Sequence, residues 1–190
     1  PEITAYESWT MRAGGWGSAG PAEVGVAGVL RHAAEHLETE FGDDPSLLAE
    51  VSILLAQTLG SLEDGATAEK LLRSALATQS RFLPPDDPPL TRTRTMHASE
   101  LSGAGRHAEA DPEFRAALAA ARARLGPFDP RTLLIADGTA VNLIHIAGRQ
   151  DEGVEMARSA ITAVARACGA DSAAVWMRHV ILIDVLQSRG

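Results

Sequence analysis

The sequence predicts an all-α fold, an array of antiparallel helix pairs stacked side by side. Three observations predict it. Alanine supplies 34 of the 190 residues while aromatics make up 4%. Strands favour β-branched and aromatic side chains, whereas alanine has the best helix propensity. An Asp precedes a new helical pattern four times, at Asp44, Asp87, Asp129 and Asp171, in steps of 43, 42 and 42 residues. A second landmark keeps that period: Ala68 to Leu76 (AEKLLRSAL) matches Ala110 to Leu118 at a step of 42 and Gly153 to Ile161 at a further 43. Units of this length bury their apolar faces on one another.

Residues 1–20 stand apart. Gly14, Gly15, Gly17 and Gly20 follow Trp9, with Trp16 among them, so this stretch reads as a linker or extension with a short helix over 3–12. The repeat domain runs from 21 to 190, in units of about 21–43, 44–86, 87–128 and 129–170 with a partial unit over 171–190. The first helix spans 22–40 and stops before Gly42. The second, 45–60, opens on Asp44 and Pro45. Asp accepts hydrogen bonds from the free N–H groups of a helix's first turn, and Pro suits the first helical position. A turn at Ser61–Asp64 leads to helix 65–82, which Pro84 and Pro85 terminate. Asp87 and Pro88 open 88–103, and a turn at Gly103–Arg106 leads to 107–124. Asp129 and Pro130 open 130–147, Gly148–Gln150 turn into 150–167, and the last helix covers 172–188. Gly42, Gly126 and Gly169 sit where a helix ends on a left-handed residue.

Charge and composition exclude several classes. The formal charge is −8 and the isoelectric point about 5.2, against a dedicated nucleic-acid binder, which needs a basic stripe. Apolar residues at 45% and charged ones at 22% are those of a globular chain. No apolar run nears the roughly 18 residues a membrane span needs. Cys168 is the single cysteine, so no intrachain disulfide is possible, and the compartment stays open between cytoplasmic and extracytoplasmic. The chain begins at Pro1 and is expected to be a segment of a longer protein.

Small residues at fixed offsets carry a family resemblance. They are Ala56, Ala68 and Ala75 in the first full unit, with Glu63 at the turn position. The second has Ala98, Gly105, Ala110 and Ala117, and the third Val141, Gly148, Gly153 and Ala160. Leu59, Leu101 and Ile144 stand at the position usually taken by Tyr. The pattern resembles tetratricopeptide repeats. Its 42-residue period, with Leu125-Gly126-Pro127-Phe128-Asp129-Pro130 between units, is similar to the kinesin-light-chain type. The resemblance implies a right-handed α–α superhelix that binds a protein or peptide without catalysis, and it implies no cofactor. The stretch from Val29 to Leu76 is also similar to repeat regions of bacterial signalling proteins, among them serine/threonine kinases and winged-helix regulators. An alternative within that setting is a sensory module that closes on a small ligand or signal peptide and regulates an attached effector.

Repeat arrays of this kind bind along a concave face lined by the first helix of each pair. The expected groove residues are Glu50, Ile53 and Gln57, then Arg92, Thr95, Ser99 and Ser102, then Ile135, Asn142 and His145, and finally Met177, Val180 and Asp184. The helix TRTRTMHASEL is almost polar all round, and at most one of Arg92 and Arg94 can enter the groove. A cationic patch there suits a peptide carboxylate. Asn142 and His145 share a helix face and are read as either hydrogen-bonding an extended peptide or satisfied inside the helix pair.

Chemistry-bearing patterns are weak. His32-Ala33-Ala34-Glu35-His36 matches H-x-x-E-H, an inverted zinc-protease motif, but no third ligand is identifiable, so no metal is expected. No Gly-rich phosphate loop has the required Lys. Cys168 at a helix C-terminus lacks the field that activates a thiol. The final helix is apolar nearly all round. It is expected either to continue into a further helix or to pack on a second copy of the chain.

Overall fold

In the computed structural model, the structure describes residues 25–187. Among them are eight helices and no strand: α1 (Val26–Phe41), α2 (Pro45–Ser61), α3 (Gly65–Gln79), α4 (Pro88–Gly103), α5 (His107–Leu125), α6 (Pro130–Ile144), α7 (Gln150–Cys168) and α8 (Ala173–Gln187). The helix expected over 3–12 lies outside the described residues. Each helix packs on the next, and α6 also meets α8. No helix among the described residues is long and apolar enough to cross a membrane.

Local chemistry sets the boundaries. The Asp44 carboxylate accepts from the N–H groups of Ser46 and Leu47 at 3.1 Å, and Asp129 accepts from Arg131 N–H at 2.9 Å. Asp87 occupies the same place without a side-chain capping bond. Before α8 the Ser172 carbonyl, not Asp171, receives the first helical N–H groups. Gly126 and Gly169 end α5 and α7 at φ 88° and 87°. Gly42 does not take the left-handed conformation; its φ is −59°. A tight turn closed by Asp44 N–H to Phe41 O at 2.9 Å keeps it right-handed.

The core repeats with the sequence. Ala56, Leu59, Ala68 and Leu72 are buried together between α2 and α3. Their equivalents 42 residues on, Ala98, Leu101, Ala110 and Phe114, form the matching cluster between α4 and α5. In the next pair the buried equivalents are Ala140, Leu143, Gly153 and Ala157. Val141 and Ile144 therefore do not hold the expected positions; Ala140 and Leu143 do. The step changes from 42 to 43 within the turn after Ile144, which is longer than the turn after Gly103. An extra residue in a turn costs little. One inside a helix would rotate every later side chain by about 100°.

Candidate functional site

A groove of about 760 Å³ runs along one side of the array. Its walls come from α2, α4 and α6, the first helices of three successive pairs. Its floor comes from the end of α3 and the second half of α5. Repeat register explains which side chains face it. Steps of 42 connect Glu50, Arg92, Leu134 and Trp176, and in parallel Leu54, Met96, Gly138 and Val180. The first three of the former line and the first two of the latter border the groove. Neighbouring first helices touch directly: Gln57 Nε2 donates to Met96 Sδ at 3.7 Å.

The polar helix α4 resolves into two parts. Its hydroxyls mostly turn back on their own backbone: Thr93 donates to Pro89 O, Thr95 to Thr91 O and Ser99 to Thr95 O, at 2.8–3.0 Å. This pattern lets Ser and Thr sit within a helix with their hydrogen bonds satisfied. His97 meets Glu69 at 3.3 Å, and Glu69 also faces Arg73 and Arg106. Arg94 pairs with Glu113 of α5 at 3.1 Å, away from the groove.

Arg92 is exposed on the groove wall and has no ion pair among the described residues. The other groove cations are engaged. Arg124 lies 3.9 Å from Asp86. Arg131 folds back on Asp129 at 3.0 Å, and its hydrogen bonds hold the Asp129 carboxyl below the ordinary carboxylate range. Glu50, one unit before Arg92, is likewise exposed and has no ion pair among the described residues.

The expected site residues divide accordingly. Glu50, Ile53, Gln57, Arg92, Thr95 and Ile135 line the groove. Ser99 is exposed at the register of Gln57 but does not line it. Ser102 sits 3.2 Å from His107. Asn142 is fully buried. Its Nδ2 donates to His107 O at 3.0 Å, and its Oδ1 lies 3.1 Å from His107 Nδ1. That amide ties α6 to the start of α5 and faces away from the groove. His145 is exposed at the end of α6, stacked on His107 with ring centroids 4.6 Å apart. Both therefore belong to the turn edge of the array, because a helix carries positions three apart on one face and that face packs on α5. Met177 and Val180 are exposed on α8 beyond the groove's lining. The side chain of Asp184 lies outside the described residues.

Among the groove residues that the sequence pattern did not single out are Gln79 at the end of α3 and Thr91 in the first turn of α4. A signal for both existed. Gln79 holds the register of Leu37, Ala121 and Val164, and Thr91 that of Ala49, Leu133 and Val175. All six of those residues are buried and apolar. A polar residue at a position apolar in every other copy is the informative departure.

On α1 the rings of His32 and His36 meet edge to face at 4.6 Å. Among the described residues no group of three or more His, Cys, Asp or Glu is placed to hold a metal ion. Cys168 is exposed at the end of α7.

No family model and no curated protein matches the chain. Among solved structures it is similar to a putative kinesin light chain from Podosopora anserina with nearly identical TPR-like repeats. The identity is 18%, the TM-score 0.73, and the match covers 86% of this chain and 80% of that one. A substituted form of the same protein gives a TM-score of 0.74 at the same identity and coverage. The shared feature is the fold, an all-α solenoid of TPR-like repeats.

Proposed function

We propose that this chain is a non-catalytic scaffold that holds a protein or peptide segment in its concave groove. The observation that carries this reading is Arg92. It stands on the groove wall with no ion pair among the described residues, while Arg124 and Arg131 are each engaged by a carboxylate. A charged side chain left without an internal partner is available to a carboxylate supplied from outside. Thr95 lies beside it on the same wall, and Ser99 is assigned to the rim. The array is placed within a larger regulatory protein on the resemblance read in residues 29–76 alone; the domains encoded beside it in the parent gene test that.

Selection of a random peptide display library on the 190-residue chain, followed by calorimetry on the enriched peptides, tests the groove. Arg92→Ala is expected to weaken binding about tenfold or more, the size of a hydrogen bond to a charged group, with the melting temperature unchanged. Equal affinity of parent and variant removes Arg92 from the site.

A second reading is a sensory module for a small ligand. It is favoured by the groove's volume of about 760 Å³, which lies within the range of small-molecule sites. Scattering that shows compaction on adding a small molecule, with no peptide enriched, would favour it. A homodimer through α8 is supported by exposed Trp176 and Met177; sedimentation equilibrium decides it.

A further inference from the structure

Two of the groove's buried polar residues, with Glu50 and Arg92 on its walls, describe its ligand more closely than the scaffold reading alone. Gln79 is 5% exposed and Thr91 9%. Gln79 Oε1 and Thr91 Oγ1 are buried without a hydrogen-bond partner among the described residues, and both residues line the same groove. Buried polar atoms almost always find a partner. Here two do not, at register positions that are apolar in the other three copies. One can accept and the other can donate. An extended peptide main chain presents the complementary pair, an N–H for Gln79 Oε1 and a C=O for the Thr91 hydroxyl.

Side-chain selection follows from register. Glu50, Arg92 and Leu134 occupy one repeated position on α2, α4 and α6 and all line the groove. The line offers a carboxylate, then a guanidinium, then a bulky apolar side chain that is 69% exposed. Gln57 and Met96 bring α2 and α4 into contact, which sets helices about 10 Å apart, and an extended chain advances about 3.3 Å per residue. Successive positions therefore read residues about three apart.

We propose that the groove selects an extended peptide with an acidic residue at its centre, a basic residue about three positions to one side and a bulky apolar residue about three positions to the other. Glu50, Arg92 and Leu134 are the selecting residues, and Gln79 and Thr91 hold the main chain. The proposal rests on the scaffold reading above and adds an order of chemistry to it. Interchanging the acidic and basic residues places like charge against like at two of the three positions, which is how charge pattern rejects wrong partners.

The test uses the 190-residue chain and labelled synthetic peptides. One set is Lys-Ser-Ser-Glu-Ser-Ser-Leu and its reverse; the other is Glu-Ser-Ser-Lys-Ser-Ser-Leu and its reverse. Binding is read by fluorescence anisotropy, alongside selection from the random library. The acidic-centred set is expected to bind about tenfold tighter, as two partly exposed ion pairs allow. Combining Glu50→Arg with Arg92→Glu is expected to reverse the preference. Thr91→Val, which removes the orphaned hydroxyl without loss of bulk, is expected to weaken every peptide while leaving the melting temperature unchanged or higher. The same preference in the parent and the charge-swapped chain, or library peptides with no central acid, would overturn the order proposed here. If such library peptides still lose affinity on Arg92→Ala, the scaffold reading stands without the order; if no peptide is enriched at all, both fall.

Discussion

Glu63 is the one described residue other than glycine with a positive φ, at 63°. Its counterparts in the next two turns are Gly105 and Gly148, at 76° and 77°. The Cβ of an L-residue meets the following carbonyl in that conformation, at about 1–2 kcal/mol. Glycine recovers this cost and gives back about 0.5–1 kcal/mol as extra freedom in the unfolded chain. Glu63→Gly is therefore expected to stabilise the fold by about 0.5–1 kcal/mol by urea denaturation. Gly153 shows the opposite constraint. A Cβ there would lie 2.7 Å from Ala140 O and 2.9 Å from Ile144 Cγ2, and the first of these is backbone that cannot swing aside. Gly153→Ala is expected to cost about 1–3 kcal/mol through overpacking, outweighing the better helix propensity of alanine. An unchanged or raised melting temperature would show that α6 and α7 separate more easily than their packing implies.

Among the elements, α5 meets α6 through a cluster that contains Ala117. That residue is fully buried in a cluster with Leu118, Ala121, Ile135 and Ala136. Ala117→Leu must push α5 away from α6 and is expected to cost about 1–3 kcal/mol. Ala160 holds the same register on α7 but is half-buried, so Ala160→Leu is expected to cost less. Equal losses in the two variants would mean that the repeats pack alike at this position. Helix boundaries were legible because their signals are local: Asp44-Pro45 and Asp129-Pro130 act within one turn, and Gly126 and Gly169 need only their own φ. The end of α3 was less so. It stops at Gln79, three residues before the predicted end, because a turn closed by Leu83 N–H to Gln79 O leads into the prolines.

Across the whole molecule the repeats are joined by charge as well as by packing. Arg149 reaches Asp111 and Arg115 reaches Glu152, linking α5 to the start of α7. Farther along, Arg178 of α8 donates to Asp137 of α6 at 3.1 Å, with both side chains buried. Burial pushes the Asp137 carboxyl up, and the Arg178 guanidinium pulls it partly back. Because the folded pKa is raised, the associated stability is fully present below the unfolded pKa and is lost as pH rises through the folded one. Urea titrations across acidic pH are expected to show that decline in the parent and a flatter profile in Asp137→Asn. Asp137→Ala leaves a buried guanidinium unpaired and is expected to cost about 3–5 kcal/mol near neutral pH. Replacing the pair together, with Asp137→Leu and Arg178→Met, is expected to restore most of that loss. A double variant no better than Asp137→Ala alone would show that the pair does more than neutralise itself.

The sequence by itself determined the helix count within the described residues, the period and the class of fold. Alanine propensity, Asp-Pro caps and glycine stops act over a few residues and need no knowledge of neighbours. It also placed Glu50, Gln57, Arg92 and Thr95 on the groove side, since a regular period turns sequence offset into direction. Only the tertiary structure decided which polar groups were already spent. Asn142 carries the same donor and acceptor whether it faces a ligand or His107, and the approach of α6 to α5 consumes both. The same approach of elements bonds Arg94 to Glu113, leaves Arg92 without an ion pair among the described residues, and buries Gln79 and Thr91 in the groove lining. Hydrogen-bond partners on other helices are set by three-dimensional distance, to which a one-dimensional pattern has no access.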